Sequence, residues 1–429
     1  MNDVTSALSE LGAELREALA QLVETWFPRV IDREFGGYFS DFDYRWRNRG
    51  PNEKTGEFEA RTLRFISRAA LDRSELTPFA DHGFHFVRDR MWDARFGGFF
   101  RSVDRQGMPL EDGVKHGHAT AYLISACVWY HRATGSREAI ALAEKAFEWL
   151  DAYAHDEIHG GYYSFYRRDG SLILEPPPVA EGQMKARLLD PLGNPIGCKE
   201  SNTTVDLLEA LGQLYETVPS AKLRSRVAEM LDIVSRRVVC DPGVIHLAFT
   251  PDWKPVPQLT NYAQCLQTAT LLLGASSALT GAEPEPSVLA TARRIVDRMI
   301  DVAWDQAHGG FHLGGSAFGL VHTSGGLMAI ADKIWWCQAE GLRALLSLAI
   351  AFPDGGYAGR AIELWRYIDA YVIDHRRGGW NFSGHDSPRF DRKYPKATTW
   401  KDPCHEGFAL IDSAKACDRL GVLTLGATA

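Results

Sequence analysis

His116, His118 and His405 stand in short polar clusters, together with the carboxylates Glu57, Glu59, Glu200, Asp206, Glu340 and Glu406. Each cluster opens a long apolar stretch. The clusters are Glu57, Glu59 and Arg61; Lys115, His116 and His118; Glu200, Asn202, Thr203, Thr204 and Asp206. The later three are Asn261, Tyr262, Gln264 and Gln267; Lys333, Trp335, Trp336, Gln338 and Glu340; and Trp400, Lys401, His405 and Glu406. Histidine titrates near neutral pH and is the usual proton-transfer group. A histidine facing a carboxylate can take and return protons, and a carboxyl pair can hydrate or cleave a glycosidic bond. Tryptophan and tyrosine faces cover the C–H side of a sugar ring, while Glu, Gln and Asn take its hydroxyls. The clusters together therefore suit a neutral polyol. Helix starts also attract Ser, Thr and Asn as caps, so Ser201, Asn202 and Thr260 have a purely structural reading as well.

The elements that must position these groups follow from an internal repeat. A Gly-Gly-aromatic signature recurs as FGGYFSDFD, FGGFFRSVD, HGGYYSFYRRDG, HGGFHLGG and RGGWNFSG, with a degenerate copy, DPGVIHLAFTPDW. Gly36, Gly97, Gly160, Gly243, Gly309 and Gly378 are separated by 61, 63, 83, 66 and 69 residues. Between signatures the apolar residues recur at helical spacing twice over, one helix apolar almost all round and the next amphipathic. The last repeat lacks its outer helix. The N-terminal segment, with Leu8, Leu11, Leu15, Leu19 and Leu22 on one stripe, can supply it. The pattern predicts an all-α (α/α)6 toroid over residues 1–429 as one domain, in preference to an open helical solenoid. The polar starts of the six inner helices then line one mouth. The long third interval carries a Pro/Gly-rich loop insertion at 174–197 that should overhang this mouth.

Composition sets the bounds. With 429 residues, 45% apolar and 24% charged, the chain is an ordinary globular protein. A net charge of −8 and the absence of a long basic run argue against nucleic acid or an anionic membrane as partner. No window of 18 uncharged apolar residues exists, and the N-terminus lacks a signal-peptide core. Seven cysteines, an odd number without a CxxC pair, point to a reduced, cytoplasmic setting. Cys198, Cys265, Cys337 and Cys404 fall near inner-helix starts, but no pair has a zinc spacing, so no metal is expected. No Gly-rich phosphate loop follows a strand, so no cofactor is expected either. The expected partner is a small molecule, most simply a sugar, taken by a monomer or homodimer.

Four segments carry a resemblance. FEARTLRFIS, SNTTVDLLEAL, DKIWWCQAEGLRALL and WKDPCHEGFALID resemble, in order, four motifs of the N-acylglucosamine 2-epimerase superfamily. That superfamily of (α/α)6 barrels includes cellobiose 2-epimerase, mannose isomerase and sulfoquinovose isomerase. The resemblance implies an epimerase or aldose–ketose isomerase working through an enediolate. It also implies that Arg61 binds substrate, that Lys333, Trp335, Trp336, Gln338 and Glu340 belong to the site, and that His405 is a catalytic histidine.

The departures from the family fall on catalytic positions. Gln264 and Gln267 stand where the family motif has histidine and glutamate, Asp206 stands for its second NTHLH histidine, and Phe408 replaces an arginine. Glutamine cannot take a proton, so His405 needs a different partner. Asp206, His116, His118 and Glu200 are the candidates. We take His405, Asp206 and His116 as the catalytic set, and Arg61, His118, Asn202, Tyr262, Gln264, Trp335, Trp336, Gln338 and Glu340 as the substrate-binding set. The rival readings are a hydrolase, lyase or cyclase on the same toroid, and a sugar-binding homologue without activity.

Overall fold

The structure is a computed structural model and describes residues 2–175, 195–256, 259–320, 322–323, 326–327 and 331–426. Most of the 174–197 insertion lies outside the described residues. Among the described residues, twelve α-helices alternate between two concentric rings. The inner ring is α2 (Gly56–Ala70), α4 (Gly117–Thr134), α6 (Ser201–Thr217), α8 (Tyr262–Thr280), α10 (Trp335–Ala351) and α12 (Cys404–Gly426). The outer ring is α1 (Asn2–Trp26), α3 (Thr77–Phe86), α5 (Arg137–Tyr153), α7 (Ala221–Ile233), α9 (Pro286–Ala303) and α11 (Tyr357–Tyr367).

Apolarity sorts the two rings. In α4 every residue from Gly117 to Tyr130 is buried, as expected of a helix with protein on all sides. The outer helices bury one stripe. In α1 it is Leu8, Leu11, Leu15 and Leu22, with Leu19 partly buried. Sequence-local caps fix several starts: Thr55 accepts from the Phe58 N–H, Ser136 from Ala139, Ser220 from Leu223 and Asn261 from Gln264. Ser201, Asn202 and Thr260 do not cap; Asn202 is turned to other use.

The ring closes twice. Consecutive inner helices pack side by side around the circle, α12 returns to α2, and α1 packs on α12 as its outer partner. At the mouth, each inner helix is entered through a short extended segment paired antiparallel with the chain beyond the next glycine turn. The pairs are Lys54–Thr55 with Ser102–Val103, Lys115–His116 with Phe165–Tyr166, Lys199–Glu200 with Ala248–Phe249, and Thr260–Asn261 with Gly314–Gly315. Ile334 bridges Ser383, and Ala397 bridges Phe42, which joins the last repeat to the first. The glycine turn itself demands glycine. At Gly98 φ is +70°, and an added Cβ would lie 2.7 Å from the Trp149 ring. Among the described residues no helix is long and apolar enough to cross a membrane.

Candidate active site

The frame of the mouth is built before any cleft residue is placed. A lysine precedes the inner helix in most repeats and points away from the cleft, down into the glycine turn. Lys54 reaches Asp32 at 3.2 Å, Lys115 reaches Asp93 at 3.4 Å, Lys199 reaches Asp156 at 2.7 Å and Lys333 reaches Asp305 at 2.5 Å. In the last repeat Lys396 takes this place against Asp374 at 2.8 Å. Lys115, Lys199 and Lys333 also donate to carbonyls of Gly97, Gly160 and Gly309. The expectation that Lys115 and Lys333 line the mouth is thereby corrected: alternate residues of an extended segment face opposite sides.

Three other residues of the expected site are part of the same frame. Glu59 accepts from the Tyr38 N–H at 3.0 Å, and Gln338, four residues into its helix like Glu59, accepts from the Phe311 N–H at 2.8 Å. The Gln338 amide also donates to the Phe311 carbonyl at 2.7 Å. Tyr262 is fully buried and donates to the Ser316 carbonyl at 2.7 Å. Neither Gln338 nor Tyr262 lines the cleft.

The cleft is a cavity of about 340 Å³ at the N-terminal mouth. Arg61, His118, Asn202, Asp206, Trp335, Trp336 and His405 line it, together with Gln267 and Trp400. His405, at the start of α12, donates its Nδ1 proton to Glu340 Oε1 at 2.8 Å. Glu340 does not line the cleft. Its other oxygen accepts from Arg343 Nη1 at 2.9 Å, and Arg343 continues to Asp412 at 3.1 Å. Burial would raise the Glu340 pKa, but Arg343 and the His405 contact hold it below the usual carboxylate range. The carboxylate thus fixes the imidazole through one nitrogen and leaves Nε2 to the cleft. The Trp336 ring lies 5.4 Å from the His405 ring.

A second histidine–carboxylate pair comes from α4 and α6. His118 Nε2 sits 2.9 Å from Asp206 Oδ2, and Gln267 donates to Asp206 Oδ1 at 3.1 Å. Burial would lower the His118 pKa, but the hydrogen bond to Asp206 and the nearby Glu57 carboxylate outweigh it and push the group up to about 9. In a ring of six, α6 and α12 stand opposite one another, as do α4 and α10. Asp206 and His405 therefore approach the cleft from opposite walls.

His116 is not in the cleft. It is fully buried, with Nδ1 3.0 Å from Glu57 Oε1 and Nε2 3.1 Å from Glu200 Oε2. Its ring stacks on Phe165 at 4.2 Å. A ring with both nitrogens taken by carboxylates, and one face covered, cannot reach a substrate carbon directly. Arg61 does line the cleft, with its guanidinium 4.3 Å above the Tyr122 ring and 3.5 Å from Asp402. It is not paired with Glu340. Gln264 donates to Asn202 and leaves its own carbonyl oxygen buried without a partner.

Five cleft residues were not anticipated: Tyr122, Ile334, Phe382, Tyr394 and Thr398. Tyr122 is one helical turn beyond His118, a spacing that would have found it. Phe382, Tyr394 and Thr398 lie in the connection before α12, where no helical period operates. A larger cavity of about 570 Å³ opens at the opposite mouth. Its charged residues are already paired, with Arg132 on Glu216, Arg419 on Glu283, Arg343 on Asp412 and Glu209 on Arg64. Among the described residues two groups have metal-ligand spacing, Glu57–His116–His118 and Asp305–His308–Asp386. In the second, the Lys333 ammonium already sits 2.5 and 2.6 Å from the two aspartates.

The sequence pattern of the N-acylglucosamine 2-epimerase (GlcNAc 2-epimerase) family matches residues 190–398. A cellobiose 2-epimerase of Bacteroides fragilis is 25% identical over 400 residues, which span 92% of this chain and 96% of that one. A D-mannose isomerase of Marinomonas mediterranea is 24% identical over 374 residues, spanning 83% and 85%. The solved structure of cellobiose 2-epimerase from Spirochaeta thermophila superposes with a TM-score of 0.80 at 26% identity, covering 97% and 98% of the two chains. The six-hairpin toroid and its helix-start motifs are thus alike, along the whole length of the chain, to proteins of the N-acylglucosamine 2-epimerase superfamily.

Proposed function

We propose that the protein is a carbohydrate epimerase or aldose–ketose isomerase that moves a proton next to the carbonyl of an open-chain sugar. The observation that carries this is the pair of histidine–carboxylate units facing one cleft, His405 with Glu340 and Asp206 with His118. The named relatives, cellobiose 2-epimerases and a mannose isomerase, perform chemistry of this class.

In the proposed reaction the C2 proton leaves to one of the two facing groups, His405 Nε2 or the Asp206 carboxylate. The electrons form an enediolate. Return of a proton to C2 from the other wall gives the epimer, and return to C1 gives the ketose. Glu340 keeps the His405 Nδ1 proton in place, so that Nε2 is free to accept. His118 and Gln267 hold Asp206 at both oxygens. Arg61 offers a fixed positive charge where the enediolate develops. Trp335, Trp336 and Trp400 give the sugar an aromatic wall. Among the described residues no cysteine forms a disulfide, which fits a reducing, cytoplasmic compartment.

The test is the reaction of an aldose in heavy water followed by NMR. A solvent deuteron at C2 of the epimer or at C1 of the ketose, with the carbon chain and any glycosidic bond intact, supports the reading. Bond cleavage without exchange at C2 would replace it with a hydrolase or lyase.

A further inference from the structure

We infer that Glu57, His116 and His118 form a binding site for one divalent transition-metal ion in the cleft wall. One Glu57 oxygen lies 3.0 Å from His116 Nδ1 and 3.8 Å from His118 Nδ1. An ion with bonds of about 2.1 Å sets its ligands roughly 3 to 3.5 Å apart in a tetrahedral or octahedral shell. All three donor atoms lie within 4.8 Å of one another, and all three residues are buried.

Two further features point to an ion rather than to a plain hydrogen-bonded cluster. Glu57 Oε2 and His118 Nδ1 are both buried with no hydrogen-bond partner, and both belong to this group. A buried polar atom left without a partner keeps the full cost of its lost hydration, and an ion would remove that cost for both. The far nitrogen of each histidine also meets a carboxylate, His116 Nε2 at Glu200 and His118 Nε2 at Asp206. Metal-bound histidines are oriented in this way, with the outer N–H given to a carboxylate that is itself held. Here Glu200 accepts from Thr203 at 2.8 Å and Asp206 from Gln267. Two imidazoles and one carboxylate select borderline ions such as Zn²⁺ or Co²⁺ over Mg²⁺ or Ca²⁺.

The ion would fix the His118 ring by Nδ1 and leave Nε2–H to clamp Asp206. This positioning role rests on the proposed function; the binding does not. The experiment treats the full chain with a chelator, removes it, and titrates with Co²⁺ by calorimetry and visible absorption. One Co²⁺ per chain is expected. Glu57→Gln should weaken binding by more than about 10-fold, while His308→Gln should leave it unchanged. Because Glu57 is buried, the intact protein is also titrated with Zn²⁺ and its histidine ¹⁵N resonances followed; two Nδ1 signals should shift together. Absence of stoichiometric binding, binding abolished by His308→Gln, or Zn²⁺ without effect on two histidine Nδ1 signals would each overturn the site. A chain that binds the ion but leaves no deuteron at either C1 or C2 would overturn the functional reading and keep the site.

Discussion

Glu59→Gln should make the protein more stable at pH 8 and leave it nearly unchanged at pH 4.5. Glu59 is fully buried, and burial pushes its carboxyl up from 4.5 to about 7, against the pull of Lys54 and the Tyr38 N–H. Between those values the folded chain keeps a proton that the unfolded chain has lost. Stability contributed by this group therefore falls as pH rises from 4.5 through 7. At 1.36 kcal/mol per pH unit, the loss is about 3 kcal/mol. Glutamine removes the charge and keeps the acceptor, as Gln338 does at the matching position of the fifth repeat, where it meets the Phe311 N–H at 2.8 Å. With an unfolding entropy of about 2.1 cal/mol/K per residue, a chain of 429 residues shifts by roughly 3–4 °C for that energy. The assay is Tm of both proteins from pH 4.5 to 8 at one scan rate. The difference should open by that amount, and Gln338→Glu should import the same pH dependence with opposite sign. A Tm difference that does not vary with pH would refute the reasoning.

Other substitutions test the site. Glu340→Gln should lower kcat by about 10²–10⁴-fold, the scale of a mispositioned acid/base, while Arg343 keeps Asp412 and the fold survives; a change confined to KM contradicts this. Asp206→Asn should cut kcat by about 10²-fold or more. His116→Gln should mainly lower Tm, because Glu57 and Glu200 lose the ring between them; the reverse ranking in kcat would move the proton chemistry to His116. Lys199→Met strands the buried Asp156 carboxylate and should cost about 3–5 kcal/mol, with kcat of the folded fraction unchanged.

The repeat was legible because its physical cause is local. A glycine pair at positive φ pressed against an aromatic ring (Phe86, Trp149, Trp253, Tyr367 or Trp46) leaves the same trace in five of the six repeats. Ring closure was implied by the missing sixth outer helix, and α1 fills it. Helical spacing also placed Asn202 and Asp206, one turn apart, on the cleft together. What sequence could not resolve was depth. Glu340, Gln338 and Glu59 read as mouth residues because they open inner helices, yet Glu340 stands behind His405 and the other two hold the glycine turns. Lys115 and His116 are neighbours in an extended segment and go to different surroundings, one to Asp93 and the other to Glu57 and Glu200. The aromatic wall of Phe382 and Tyr394 comes from a connection without periodicity, where only the fold brings the residues to the site.

His405 and Asp206 are the two groups proposed to handle the C2 proton. The most direct measurement is the rate at which that proton exchanges into heavy water, for the wild type, His405→Asn and Asp206→Asn, at saturating aldose. Exchange slowed by about 10²-fold or more in both variants, with both proteins folded and binding substrate, is the predicted result. Wild-type exchange in His405→Asn would contradict it.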